Sequence, residues 1–209
     1  MFSNMPSIQE MAMRTIAFLV ALTVHEYAHA KAALVAGDDT AQRAGRVSLN
    51  PLDHLDPMGT LLFFVTMIAG FGIAWGKPVP VNHYNLKSPR WDSLKVSIWG
   101  PLSNIITAVI LAIVLRLVIG PLHLYFWADL LSYTFFFNLV IAVFNMIPIP
   151  PLDGSHIFAA LLPYEMARKY GAVMSNPIIR TILIVVVIGG GFRMFIGPPV
   201  EFLTRFLLG

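Results

Sequence analysis

His25-Glu26-Tyr27-Ala28-His29 sits inside the apolar stretch TIAFLVALTVHEYAHAKAALVAG (residues 15–37), and the reading of that stretch decides the fold. Residues four apart share one face of an α-helix, so His25 and His29 are placed to ligate one zinc ion. Glu26, beside the first of them, is placed to act as general base on a water that such an ion activates. The flanks TIAFLVALTV and AKAALVAG are those of a membrane helix. Three ionisable residues within five positions of such a helix are costly, and the cost marks them as functional rather than as a polar patch in a bundle.

Composition points the same way. Of 209 residues, 57% are hydrophobic and 12% charged, where a soluble domain carries about 25% charged residues. The expectation is an all-α integral membrane protein, a polytopic helical bundle with short re-entrant or β-like extended segments near its site. It forms a single domain over residues 1–209, with a core over about 10–160 and a C-terminal helix and interfacial tail over 178–209. The net charge of +3 is spread singly between apolar runs, which is no footprint for nucleic acid. The chain has no cysteine, so disulfides and thiolate-bound zinc are excluded and His, Asp and Glu remain as ligands. MFSNMPSIQEMAMR lacks the basic stretch of a cleavable signal, so the first apolar segment is expected to be retained.

A spanning helix needs roughly 20 apolar residues. Residues 10–36, 57–76, 96–115, 130–147 and 178–195 qualify. Between the first two, RVSLN (46–50) reads as a short strand. Between the second and third, KPVPV (77–81) reads as extended, because proline blocks helix. The second segment carries Gly70, Gly72 and Gly76 at its end. If it re-enters rather than spans, Lys31, Arg43, Arg46, Lys77, Lys87, Arg90 and Lys95 share one face. Arg168, Lys169 and Arg180 join them, leaving mainly Arg116, Arg193 and Arg205 opposite. The positive-inside rule favours that arrangement, with the N-terminus outside.

Catalytic zinc takes three protein ligands and keeps one position for water. The best candidate for the third is Asp153 in Asn145-Met146-Ile147-Pro148-Ile149-Pro150-Pro151-Leu152-Asp153-Gly154. Its prolines end a helix and force an extended run that presents one carboxylate, and Gly154 allows a close turn. The bland alternative is that Asp153 N-caps a helix starting near Ser155.

HEYAH in a first membrane helix, GPLSN (100–104) and NMIPIPPLDG (145–154) resemble the site-2 protease family of intramembrane zinc metalloproteases. GRVSLNPLDHLDPMGT (45–60) and WGKPVPVN (75–82) resemble its short bacterial branch, which lacks a PDZ domain. The resemblance implies His25, His29 and Asp153 as zinc ligands, Glu26 as catalytic base and one Zn2+ per chain. It also implies three core helices, a cytoplasmic segment 77–95 and a metal nearer the cytoplasmic face of, for a bacterium, the plasma membrane. It places Asn104 near the site, to hold substrate backbone or the developing oxyanion, or to make an interhelical hydrogen bond. Asn145 is expected to hold an extended substrate strand or to cap its helix. His54 is either a donor behind the metal or a loop histidine at the interface. His156 either orients Asp153 or is solvated. Trp75, Trp91, Trp99, Trp127 and Tyr125 fit an interfacial belt.

The expected activity is endopeptidase cleavage within or next to a transmembrane segment of a membrane-protein partner, a single-pass one by expectation. Two alternatives stand beside it. One is another membrane HExxH hydrolase of the prenyl-protein endopeptidase type, which the LDG run argues against. The other is a non-enzymatic zinc-binding or transport protein, which the scarcity of polar residues in the later helices argues against.

Overall fold

The computed structural model describes residues 6–68, 74–119 and 125–209. Gly70 and Gly72, residues 1–5 and the side chains of Tyr125 and Arg193 lie outside what is described.

Helix α1 (Ile8–Ala36) starts in a capping box: Ser7 Oγ accepts from Glu10 N and the Glu10 carboxylate accepts from Ser7 N. It ends at Gly37, whose φ of 108° closes the helix in a left-handed turn that most side chains resist. Its 29 residues rise about 43 Å, more than the ~30 Å hydrocarbon core. A short helix α2 (Thr40–Arg43) follows. Next come α3 (Pro57–Ile68), α4 (Pro89–Ile119) and α5 (Tyr125–Asn145). After them come α6 (Asp153–Leu161), α7 (Tyr164–Met174) and α8 (Pro177–Val186). A π-helical stretch (Val187–Ile196) then leads into α9 (Gly197–Leu208). Among the described residues, 89–117 and 127–145 are long and apolar enough to cross a membrane. α1 is as long, but His25, Glu26, His29 and Lys31 dilute its apolar character. α7 and α8 meet at a bend of 84°. The all-α polytopic bundle expected from composition is what forms.

Three helices carry the architecture: α1, α4 and α5 each pack against the other two. Small residues let α1 approach closely, with Ala17, Ala21, Ala30 and Ala33 fully buried. One apolar cluster joins Ala108, Ala112 and Leu115 of α4 to Phe135 and Leu139 of α5, and to Val187, Ile196 and Val200. The C-terminal tail therefore packs into the bundle through α9 rather than merely lying at the interface. A second cluster joins Phe18 and Leu22 of α1 to Phe63 and Met67 of α3, with the Phe18 and Phe63 rings stacked at 4.6 Å.

The described part of residues 57–76 includes no helix of spanning length. α3 has 12 residues, about 18 Å of helix against a core of ~30 Å. The two ends of the excursion meet: Leu55 and Gly76 form an antiparallel bridge, Lys77 N donates to His54 O, and Trp75 Nε1 donates to Asp56 Oδ1. The contact is tight enough that a Cβ on Gly59 would fall 2.2 Å from Trp75 O.

The expected strand at 46–50 does not form. Its place is taken by one side chain: Arg46 donates to Pro78 O at 3.0 Å and to Lys77 O at 2.5 Å. A guanidinium satisfies these carbonyls without a ladder, so a single bridge suffices. His54 is fully buried in the same knot, bonded to Ser48 O at 2.7 Å, and is neither behind the metal nor at the interface. Asp38 ties the next loop to the end of α1, accepting from Thr40 N, Thr40 Oγ1, Asn82 N and Asn85 Nδ2. Burial raises its pKa, but these donors outweigh burial and hold the carboxyl below its ordinary range.

Candidate metal centre

His25 and His29 emerge from the buried face of α1, with Nε2 atoms 3.0 Å apart. Asp153 Oδ2 completes a triangle, 3.2 Å from each. It comes from the first residue of α6, where the helix dipole favours a carboxylate. Its side chain makes no capping bond; Leu152 is the cap position. The run between α5 and α6 is not extended as expected but folds into tight turns, with Ile149 N reaching Ile147 O and Leu152 N reaching Ile149 O. Prolines end α5 at Asn145 as their chemistry requires, and the turns bring Asp153 back toward α1. Gly154 is needed there, since a Cβ would lie 2.2 Å from Met146 O.

Proton placement in this triangle follows from the neighbours. Asn104 Nδ2 donates to the carbonyl of Ala21 at 2.9 Å and to Asn138 Oδ1 at 2.8 Å. Asn104 Oδ1 therefore faces His25 Nδ1 at 2.7 Å and must accept from it. His29 Nδ1 must likewise donate to Val96 O at 2.8 Å. Both Nε2 atoms of the neutral rings are then bare acceptors aimed at each other and at a carboxylate oxygen. With both rings neutral three lone pairs converge, and a cation, a proton or a metal ion, satisfies them. A tetrahedral zinc with bonds of about 2.0 Å has ligand–ligand edges of about 3.3 Å, and the triangle fits that size. These three residues form the one group of ligating side chains able to hold a metal among the described residues.

Gly100 makes the approach of α4 possible. A Cβ there would fall 2.3 Å from His29 Nε2 and 2.8 Å from His25 Cε1. Gly100→Ala is therefore expected to displace both imidazoles, lowering metal content measured by elemental analysis. It should also cost about 1–3 kcal/mol of fold stability from overpacking. Metal content equal to the parent's would mean the two rings are not the ligands.

Glu26 lies beside the triangle, 9% exposed, and its carboxylate forms no hydrogen bond among the described residues. It faces a cavity of about 460 Å³ bounded by α1, α4, α5, α6 and the extended segment 74–81. Water is the partner such a carboxylate finds in a polar cavity.

Asn145 lines this cavity and gives one amide proton to Ile141 O. Asn104 does not line it. Its amide is spent on Ala21, Asn138 and His25, so it holds the His25 ring and has no proton left for the oxyanion that the sequence suggested. His156 stands at the cavity edge with no bond to Asp153; its ring faces that of His83 at 6.4 Å. Two residues escaped the sequence reading. Asn138, fully buried, supports Asn104 and anchors itself to Thr134 O. A lone amide in the apolar run FFFNLVIAVF was the available signal. Val96 contributes only a carbonyl, which no side-chain pattern could reveal.

A helical membrane bundle presenting two imidazoles, one carboxylate and an adjacent glutamate on a water-holding cavity defines a metallopeptidase centre. The sequence model described as Peptidase family M50 matches residues 118–189. YwhC of Bacillus subtilis (strain 168) is 41% identical over 175 residues, 76% of this chain and 76% of YwhC. Rip2 of Mycobacterium tuberculosis (strain H37Rv) is 33% identical over 150 residues, 70% of this chain and 55% of Rip2. Both carry names that place them by inference among the zinc metalloproteases. MJ0392 of Methanocaldococcus jannaschii, named a zinc metalloprotease, is 33% identical over 96 residues, 46% of this chain and 26% of its own length. No solved structure matches the chain significantly. The chain belongs to peptidase family M50, the site-2 protease family of zinc metalloproteases. With that membership the prenyl-protein endopeptidase and zinc-transport alternatives fall away.

Proposed function

We propose that this zinc metalloprotease cuts a peptide bond within or next to a transmembrane segment of a membrane-protein substrate. The observation that carries the reading is the position of the His25–His29–Asp153 triangle and Glu26 on a cavity enclosed by membrane helices. His25, His29 and Asp153 would hold one zinc per chain, which when bound lowers the pKa of a water and polarises a carbonyl. Asn104 and Val96 O hold the two imidazoles in the required tautomer. Glu26 accepts the proton of the attacking water and returns it to the leaving amine. The backbones of Val79 and Val81 form no hydrogen bonds among the described residues and border the cavity. They offer an edge to a substrate that has unwound into a strand, and Asn145 opposite can bind its backbone. Cells carrying Glu26→Gln should accumulate uncut single-pass proteins in a membrane proteome, with wild-type cleavage sites mapping to or beside their spans. Cleavage confined to soluble domains would overturn the reading.

The site is read as lying in the bacterial plasma membrane, nearer the cytoplasmic face. Trp99, a third of the way along α4, and Trp127, at the start of α5, stand half-exposed. Gly100, and with it the metal centre, lies in the half of α1 and α4 nearer the end that carries Lys31, Lys87 and Lys95. This makes a topological prediction. The Asp38–Asn85 and Arg46–Pro78 bonds join the loop after α1 to the loop before α4. Cysteines placed singly at Arg43 and Lys87, in a chain with none of its own, should both resist an impermeant thiol reagent in intact cells and react after lysis. Labelling of only one from outside would show that residues 57–76 cross.

A further inference from the structure

Away from the metal centre, α1 and α4 leave a second cavity of about 690 Å³ on their outer side. It has a polar end and an apolar end. At the polar end Lys87 N meets Ala36 O, and the side chains of Lys31, Lys87 and Lys95 gather. At the other end Ser103 Oγ donates to Val24 O, between Val24 and Ile106. Twelve residues of α1 separate Val24 from Ala36, about 18 Å of helix, or roughly one leaflet of the ~30 Å core.

The lysines are not equivalent. Lys95 is paired with Asp92 at 2.8 Å. Lys87 lies within electrostatic reach of Asp92 without forming a salt bridge, and Lys31 has no ion-pair partner among the described residues. Three ammonium groups against the one Asp92 carboxylate thus leave an excess of positive charge at the mouth of an apolar groove. Trp99, 46% exposed, flanks them at the interfacial level.

We propose that this groove binds one anionic phospholipid, its phosphate against Lys31 and Lys87 and an acyl chain along Val24, Ala28 and Ile106. A soluble anion would gain nothing from the apolar length. A zwitterionic lipid would leave the charge excess unmatched. Tyr27 and Ala28 form part of the groove wall, so an occupied groove also steadies the turn that carries His25 and His29 on its other face.

The full-length protein, released from detergent in a native mass spectrometer, should retain phosphatidylglycerol over phosphatidylcholine of the same chains by on the order of tenfold. Lys31→Gln combined with Lys87→Gln should abolish that preference, and added inorganic phosphate should not displace the lipid. Equal retention of the two lipids, an unchanged preference in the double variant, or displacement by phosphate would overturn the proposal. A benzophenone amino acid at Ile106, irradiated in membranes, provides a check that does not depend on the lysine variants. It should yield an adduct of phospholipid mass, and a polypeptide adduct in its place would show that a protein occupies the groove.

Discussion

Glu26→Gln should leave zinc bound and lower proteolysis by on the order of a hundredfold or more. The argument rests on what surrounds the side chain. Glu26 is 9% exposed and makes no hydrogen bond that its carboxylate shares with another element, so the amide replaces it without breaking a contact. The His25–His29–Asp153 triangle does not include it, so metal affinity has no reason to change. What is lost is the carboxylate on the cavity wall beside the metal triangle that can accept the water's proton. Zinc content by elemental analysis and cleavage of a single-pass substrate in proteoliposomes separate the two effects. Full activity with zinc present would remove Glu26 from the mechanism; loss of zinc would mean it helps hold the ion.

Asp153→Ala should lower zinc affinity by on the order of a hundredfold or more, since loss of a mere supporting residue already costs 10- to 100-fold. Asp153 Oδ2 is one corner of the triangle, 3.2 Å from each imidazole nitrogen. Without it two imidazole nitrogens face the ion and no anionic ligand remains. The change leaves α6 intact, because the Asp153 side chain makes no capping bond. Retention of zinc against a chelator at the wild-type level would place the third ligand elsewhere. The variant also distinguishes Asp153 from Asn104: Asn104→Ala frees the His25 ring without removing a ligand, so its loss of affinity should be smaller.

Much of the bundle was legible because its signals are local. Apolar runs of spanning length located α1, α4 and α5, with boundaries off by two residues at the start of α1 and by up to seven at the start of α4, ends that loops and caps decide. The failures share a different cause. Residues 57–76 contain enough apolar residues to span, yet the two described ends meet through the Leu55–Gly76 bridge and the Trp75–Asp56 bond, which no local pattern encodes. RVSLN has strand chemistry but no strand, because Arg46 satisfies the facing carbonyls by itself. Asn104 was placed near the site, but its task depends on Ala21 O and Asn138, 83 and 34 residues away. No spacing rule encodes such partners.

By itself the sequence determined the chemistry. The i, i+4 imidazoles with their glutamate follow from helical periodicity, and the scarcity of charge follows from the solvent the helices face. The proline run followed by Asp153 marks where a helix must end and a carboxylate must stand. The tertiary structure alone decided how these parts meet. Asp153 reaches His25 and His29 because α6 packs on α4, and α4 can lie against α1 at that level because Gly100 has no side chain to collide with the imidazoles. The tautomers are set by an amide and a carbonyl from another helix. Local sequence constrains torsions and faces, whereas a metal site needs atoms from distant residues within about 3 Å of one another, and only packing across the whole bundle sets that distance.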